Sequence, residues 1–481
     1  KENNIQITLH LADDGTLKEF VPNWGGMHYL KVNALVNEDL AQRGLVYKEE
    51  ILEHRVPHCW RCHTRLIHAP QNAWFVDVQK LKPRMEETNN HVYWFPEHFG
   101  EGRYLKSMQS APDWCISRNR YWGSPVPVWE CECGERKVPG SIEELSKWAG
   151  VEIKDLHKPG IDEIEIKCEK CGMKMKRTPE VLDSWIEAGS ASFAERHYPF
   201  EGNWNLEDFF PPDFISEYTG QIRAWFYVMH VIGTALYDSP AFKKVLVSGV
   251  VLGTDGRKMS KNYGNYPDPK LMLETHGGDA LRLYLLGSPV MHGEDVRISE
   301  EDYRNWVKNY LLTFWNSFKY FVTYANLNKW EKNDGGNLSQ NVLDQWVLSR
   351  VFHTAQEVTG NMEKLDTMAS VMSLQDLIND LSTWYIRRSR PRVSDINENE
   401  VDKADFLNTL YEALVRISQL MAPLAPFVSE YTYRFLTNEE SVHLSNWPEL
   451  EKSWSNKKLE EEMDLVRKIV ERGHAERKLK N

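Results

Sequence analysis

The run Val245-Leu246-Val247-Ser248-Gly249-Val250-Val251-Leu252 constrains this chain more than any other stretch. It is short, uncharged and rich in β-branched valine, the signature of a strand buried on both faces of a parallel sheet. A little further on, Asp268-Pro269 supplies an N-cap and a first-turn proline for a helix. Between strand and helix lies Gly256-Arg257-Lys258-Met259-Ser260-Lys261-Asn262-Tyr263-Gly264-Asn265, polar and glycine-flanked, with two lysines. From about residue 180 to 300 strand-like runs alternate with helical ones, the α/β pattern of a doubly wound sheet. After about 301 the strand signals fade. Long amphipathic stretches follow, for example Leu343, Trp346, Val347 and Arg350 onward, and Leu407 to Met421. They read as an α-helical bundle, its first helix set off by the polar piece 333–340. No internal repeat is visible.

The N-terminal region, residues 1–110, is mixed. Ile5-Gln6-Ile7-Thr8-Leu9 is strand-like, Lys31 to Arg43 is helical up to a turn at Gly44, and Asp13-Asp14-Gly15 reads as a hairpin turn. Residues 124–180 are short, polar and turn-rich, as in a small metal-stapled insertion. They hold two hooks, Cys131-Glu-Cys133 and Cys168-Glu-Lys-Cys171, separated by thirty-four residues. Four thiolates suit tetrahedral Zn2+ and leave no open position for chemistry at the metal. Gly134 and Gly172 follow the hooks directly, where the chain must turn tightly. An empty or oxidised site is the alternative. Cys59-Trp60-Arg61-Cys62 is a third hook without a partner; His54, His58, His63 or His68 could complete it, a matching hook could lie before Lys1, or both thiols could be free. Cys115 reads as a buried apolar side chain.

Composition narrows the classes. With 481 residues and 41% hydrophobic content, two or more domains with real cores are possible. No apolar run reaches the roughly 20 residues that span a bilayer, and the start has no signal-peptide character. A soluble, cytoplasmic, monomeric protein is expected, and Lys1 is not expected to be its natural start. The net charge of −12 excludes coating nucleic acid by charge alone but allows local basic patches. Seven cysteines, six in three close pairs, fit metal binding in a reducing compartment better than disulfides.

Lysines on a glycine-flanked loop after a buried strand suit adenylation, because they can close on a triphosphate while pyrophosphate leaves. The stretch 256–265 resembles the lysine loop of class I aminoacyl-tRNA synthetases. Three further segments carry the resemblance: Asp113-Trp114-Cys115-Ile116-Ser117-Arg118-Asn119-Arg120-Tyr121-Trp122-Gly123 resembles the isoleucine, valine and leucine enzymes, Val181 to Ser190 is similar to a motif of the same family, and Ser216 to Phe226 resembles an isoleucyl motif. A fourth, Ser382-Thr383-Trp384-Tyr385-Ile386-Arg387-Arg388-Ser389-Arg390, is similar to an element of isoleucyl enzymes. The resemblance covers essentially the whole chain and favours isoleucyl-tRNA synthetase over valyl and leucyl types.

The resemblance implies an α/β plus all-α architecture. Residues 1–110 would be the C-terminal part of a β-rich editing insertion. Residues 111–300 would be the second half of a Rossmann-like catalytic domain, with the zinc insertion at about 124–180 and the lysine loop at 256–265. Residues 301–481 would be a helical anticodon-binding domain. It further implies that Glu217 binds the α-amino group of isoleucine and Gln221 the adenylate, with Trp185 and Trp225 flanking the side chain. Lys258 and Lys261 would hold ATP with its Mg2+, Ser260 shaping the loop or touching nucleotide. Arg387, Arg388, Arg390 and Arg392 form the clearest basic cluster for tRNA(Ile) phosphates, or else a solvated helix end. Several positions depart from the family pattern: Tyr218 and Gly220 stand for a glycine and an aspartate, Ser248 for a histidine, and Ile186, Glu187 and Ala188 for Phe, Asp and Ser.

The family's second signature, His-Ile-Gly-His, is echoed only by His230-Val231-Ile232-Gly233-Thr234. That stretch follows Gln221, and Trp225, Met229, Ile232 and Leu236 recur there at helical spacing, so His230 reads as a helix-packing residue. The signature and the editing core are expected before Lys1, and the chain on its own is expected to be inactive. The parent activity would be isoleucine activation and transfer to tRNA, with hydrolytic editing of valine, since a hydrophobic slot discriminates one methylene weakly; isoleucyl enzymes are the standing illustration of that limit. The rival is a synthetase-derived tRNA-binding protein without catalysis, for which Glu217, Gln221, Lys258 and Lys261 would be unnecessary.

Overall fold

The computed structural model describes residues 8–480 apart from 13, 60, 61, 68–70, 121, 333–338 and 395, and the side chain of Lys480 also lies outside it. Two compact units are present: Lys1–Val76 with Trp114–Leu182, and Asp77–Asp113 with Asp183–Asn481. The expected first segment, 1–110, is therefore divided between them.

In the first unit, Leu11 and Leu17 pair across an antiparallel bridge. The Asp14 carboxylate accepts the Thr16 amide and hydroxyl at 2.9 and 2.6 Å, an Asx turn at the expected hairpin; Asp13 lies outside the described residues. Of the strand-like piece 5–9, residues 5–7 also lie outside. The expected helix spans Tyr29–Gln42. The cysteine insertion is a four-stranded antiparallel sheet in the order Arg136–Lys137, Trp129–Glu130, Lys174–Arg177, Ile166–Lys167. Trp129, Leu145, Ile161, Ile166 and Met175 form its core around Cys131 and Cys168. The adjoining helix, Ile142–Ala149, starts where Ser141 Oγ accepts the Glu144 amide.

The second unit contains the parallel sheet and the bundle. Strands β1 (Tyr93–Phe95), β2 (Phe214–Tyr218) and β3 (Lys244–Ser248) run parallel in the order β2-β3-β1. The chain crosses from β2 to β3 through helix α2 (Trp225–Tyr237), which also packs on α1 (Val78–Asn89). The expected single strand over 245–252 is interrupted: β3 ends at Ser248, and β4 (Val251–Leu252) pairs instead with Val296–Arg297. Gly249 sits at the break, where the Glu294 backbone crosses so closely that a Cβ would collide with it. Helix α3 (Pro269–His276) begins as expected, the Asp268 carboxylate accepting the Lys270 amide at 2.9 Å. Helix α4 (Gly278–Leu286) follows.

The bundle comprises α5 (Leu312–Leu327), α6 (Val342–Glu363), α7 (Thr367–Asn379), α8 (Glu400–Met421), α9 (Pro426–Thr437) and α10 (Lys457–Lys480). Asn341 and Asn399 cap α6 and α8 with side-chain oxygens. Facing apolar stripes meet in one core that includes Phe314, Trp346, Leu374, Phe406 and Leu414. Each such fully buried side chain contributes about 1.5–3 kcal/mol. A π-helical turn, Asp380–Ile386, links α7 to the arginine segment. Among the described residues no helix is long and apolar enough to cross a membrane.

His230 is the helix-packing residue expected. It is buried on α2, with Nδ1 2.6 Å from the Tyr104 hydroxyl and Nε2 2.7 Å from Thr88 Oγ1. Burial pushes its pKa down to about 3, so the ring is neutral. The apolar stripe holds at Met229 and Ile232, but Leu236 is exposed at the end of the helix.

Candidate functional site

Parallel sheets bind ligands beyond the carboxyl ends of their strands. Glu217 and Tyr218 are the last residues of β2, and Tyr218 stands in register with Ser248, the last of β3. Glu217 is exposed, its Oε2 accepting the Tyr218 amide at 3.2 Å. The chain then turns through Thr219–Arg223 into α2. Within that turn Gln221 Oε1 accepts the Trp225 amide at 3.1 Å. Trp225 is half-buried and its indole N–H donates to the Ala188 carbonyl at 2.9 Å. Ala188 belongs to the short helix Ser184–Gly189, which starts on an Asp183 cap and carries Trp185, 36% exposed. A Cβ at Gly189 would meet Ile232 and Val228, so glycine lets this helix approach α2 closely. The two tryptophans and the polar pair thus share one framework.

The lysine loop reaches the same strand end through the side chain of Lys258. It closes on itself through Gly253 N–H to the Arg257 carbonyl (2.7 Å) and Thr254 N–H to the Asn265 carbonyl (2.9 Å). Buried Asn265 organises it: Oδ1 accepts the Ser260 amide at 3.0 Å, and Nδ2 donates to Asp255 at 2.9 Å and to the Lys258 carbonyl at 3.3 Å. The Arg257 amide and the Asn265 side chain hold the Asp255 pKa down at about 2. Ser260 Oγ accepts the Asn262 amide at 3.2 Å, so the hydroxyl shapes the loop. Lys258 and Lys261 are exposed, and the Lys258 ammonium lies 5.3 Å from the centroid of the Tyr218 ring. Sequence reasoning missed the part played by Asn265, because nothing in its local sequence marks a residue whose partners are 5–10 positions away.

The Cys131, Cys133, Cys168 and Cys171 sulfurs all lie within 4.8 Å of one another. Cys131 and Cys171 are 3.4 Å apart, and Cys133 and Cys168 are 3.7 Å apart. Tetrahedral zinc with bonds of about 2.3 Å places its sulfurs about 3.8 Å apart, so the donor set fits. Each hook is shaped by its glycine: Gly134 (φ 85°) and Gly172 (φ 74°) donate to the Cys131 and Cys168 carbonyls. Amides of the second hook, Cys171 first, lower the Cys168 pKa to about 7, while Cys131 and Cys171 in the same cluster are shifted upward.

One expectation is corrected, and the alternatives for the third hook are narrowed. Among the described residues Cys59 and Cys62 are not joined by His54, His58 or His63 into a metal-binding group, and His68 lies outside those residues. Cys62 instead contacts the Thr64 hydroxyl, which lowers its pKa to about 7. Arg392 does not belong with the exposed arginines. It is 8% exposed and held bidentate by Asp344 at 2.7 and 2.8 Å, with Asp402 on its other side. Arg387, Arg388 and Arg390 are exposed, Arg388 resting 4.7 Å above the Trp384 ring.

Residues 28–299 match the family model "tRNA synthetases class I (I, L, M and V)", and residues 344–481 match "Anticodon-binding domain of tRNA ligase". The chain is 40% identical to isoleucine–tRNA ligase 2 of Pseudomonas fluorescens over 462 residues, covering 96% of this chain and 45% of that protein. It is also 40% identical to the isoleucine–tRNA ligase of Clostridium acetobutylicum over 489 residues, covering 99% and 47%. The chain thus spans about half the length of the curated relatives it matches. Among solved structures, methionyl-tRNA synthetase of Mycobacterium tuberculosis with methionyl-adenylate superposes with a TM-score of 0.59 at 18% identity, covering 81% of this chain and 68% of that one. A LeuRS of Agrobacterium radiobacter in a ternary complex with tRNA and LeuAMS gives 0.55 at 21% identity, covering 73% and 43%.

Proposed function

The chain belongs to the class I aminoacyl-tRNA synthetases of the isoleucine, leucine, methionine and valine group, and from that membership we propose that it serves isoleucine activation and transfer to tRNA(Ile). It carries catalytic-domain sequence followed by an anticodon-binding domain. The observation that carries the proposal is the lysine loop reaching, through Lys258, the strand end that bears Glu217.

In the proposed reaction the isoleucine carboxylate attacks the α-phosphorus of ATP. A carboxylate–phosphorus bond forms, the bond to pyrophosphate breaks, and isoleucyl-adenylate results. Glu217 would hold the α-ammonium group and the Gln221 NH2 the adenylate, while Trp185 and the pinned Trp225 ring would flank the side chain. Lys258 and Lys261 would stabilise charge developing on the departing pyrophosphate, whose Mg2+ arrives with ATP. A hydroxyl of the terminal ribose of tRNA then attacks the acyl carbon: an ester bond forms, the acyl–phosphate bond breaks, and AMP leaves with the proton. Arg387, Arg388 and Arg390 would contact tRNA phosphates, and the four cysteines would hold a structural Zn2+. Hydrolytic editing of valine belongs to the same reading.

Non-hydrolysable sulfamoyl analogues of isoleucyl-, valyl-, leucyl- and methionyl-adenylate test the proposal by calorimetry. They are applied to this chain and to a chimera completed with the remaining segments of the Pseudomonas fluorescens relative. The isoleucyl analogue should bind tightest to the chimera, and Glu217→Gln should weaken it at least about tenfold, as loss of a charge-assisted contact does. Preference for another analogue would remove isoleucine. Binding of tRNA by a chimera that binds none of the four analogues would favour the non-catalytic rival.

A further inference from the structure

Tyr218 stands between the two halves of the site just described. Its ring lies directly over Gly220: a Cβ there would come within 2.6 Å of Cε2, Cζ and the hydroxyl oxygen. The ring can occupy this position only because residue 220 has no side chain. On the ring rests the Lys258 ammonium, 5.3 Å from the centroid, within cation–π range. The loop backbone at Lys258 is anchored separately, by the bridge to Leu252 and by the Asn265 amide on its carbonyl. These contacts fix the loop's own shape, and the Lys258 side chain carries its contact to the end of β2.

Its chemistry suits a charge held in waiting. Glu217, one residue from Tyr218, is the nearest acid in sequence, yet neither Glu217 nor Lys258 forms an ion pair among the described residues. An ion pair between them would occupy the carboxylate proposed for the amino acid and neutralise the cation proposed for the phosphates. An aromatic face attracts the ammonium without either loss.

We propose that Tyr218 is a positioning residue: seated on Gly220, its ring receives Lys258 and docks the lysine loop over the end of β2 before nucleotide binds. The consequence for activation rests on the synthetase reading above; the docking itself does not. Exposed cation–π contacts shift a docked-to-undocked ratio about two- to fivefold.

The test uses the 481-residue chain with its lysines reductively 13C-methylated, which preserves their charge. Lys258→Arg identifies the Lys258 methyl resonance. Wild type should show it displaced upfield by the ring current, and Tyr218→Phe should keep that displacement. Tyr218→Leu should return it to the position of solvated lysines. Gly220→Ala should do the same without altering either partner, because the new methyl displaces the ring. Amide exchange over 256–265 should quicken about two- to fivefold in both variants. A wild-type resonance at the solvated position, or one unmoved by Tyr218→Leu, overturns the proposal. If Tyr218 docks Lys258 but Mg-ATP leaves the resonance of the chimera unchanged, the positioning stands and the nucleotide reading fails.

Discussion

Replacing Arg392 should cost fold stability and leave tRNA contact unaffected. Asp344 is fully buried and accepts from Arg392 Nη1 and Nη2 at 2.7 and 2.8 Å, from the Tyr385 hydroxyl at 2.7 Å and from the Ser339 hydroxyl at 2.7 Å. Arg392 also donates from Nε to Asp402 at 2.9 Å and lies over the Phe406 ring. Arg392→Met keeps most of the apolar stem and removes the charge, leaving a buried carboxylate with two hydroxyl donors. Breaking a buried pair in this way costs about 3–5 kcal/mol. At about 2–4 °C per kcal/mol for a domain of this size, the bundle should melt roughly 6–20 °C lower. The double variant Asp344→Leu/Arg392→Met removes both charges and should recover at least about 2 kcal/mol of the loss. Urea unfolding followed by tryptophan fluorescence measures the stabilities, and filter binding across salt concentrations measures phosphate contact. An Arg392→Met midpoint within about 0.5 kcal/mol of wild type, with the tRNA salt slope reduced by about one, would refute this reasoning.

The exposed neighbours should behave in the opposite way: Arg388→Gln should reduce that salt slope by about one while moving stability by less than about 0.5 kcal/mol, read in the same two assays. Purified chain should carry one zinc ion by elemental analysis, and Cys168→Ser should abolish it and lower the melting temperature of the cysteine unit. His230 has a folded pKa near 3, far below its unfolded value, so the unfolded state takes up a proton first as pH falls. Stability should therefore be full above about pH 6.5 and decline below it, by up to about tenfold in the folding constant per pH unit, and His230→Gln should remove that slope from a urea–pH series. Burial opposes ionisation of Glu460, but bonds from Ser349, His353 and Arg350 outweigh it and hold its pKa below the ordinary glutamate value. Its contribution to docking α10 on α6 is present above that ordinary value and lost as pH falls through the depressed one, so amide exchange along α10 should rise below about pH 4 and Glu460→Gln should abolish the change.

Local pattern carried much of the architecture. Valine-rich β3, the Asp268-Pro269 start of α3, and the amphipathic α6 and α8 are all readable because burial on a sheet or in a bundle imposes a period on nearby residues. The hooks were readable for a similar reason: two thiolates and a turn glycine must be close in sequence to face one ion. The break at Gly249 was not, because the Glu294 backbone that crosses there is 45 positions away. Leu236 fits a helical stripe, yet it is exposed at the end of the helix.

By itself, then, the sequence determined most of the elements, the cysteine hooks and the lysine-bearing loop, since each depends on residues within one turn or strand. Tertiary structure decided which charges are buried and which face solvent. Arg392 and Arg388 are four positions apart and chemically alike, but only one meets a buried carboxylate, from a helix some fifty residues away. Likewise Tyr218 and Gly220 are only substitutions in a motif until the ring is found over the glycine with Lys258 resting on it. A side chain's charge is local, but its partner is set by how distant segments pack, and no short window of sequence contains that.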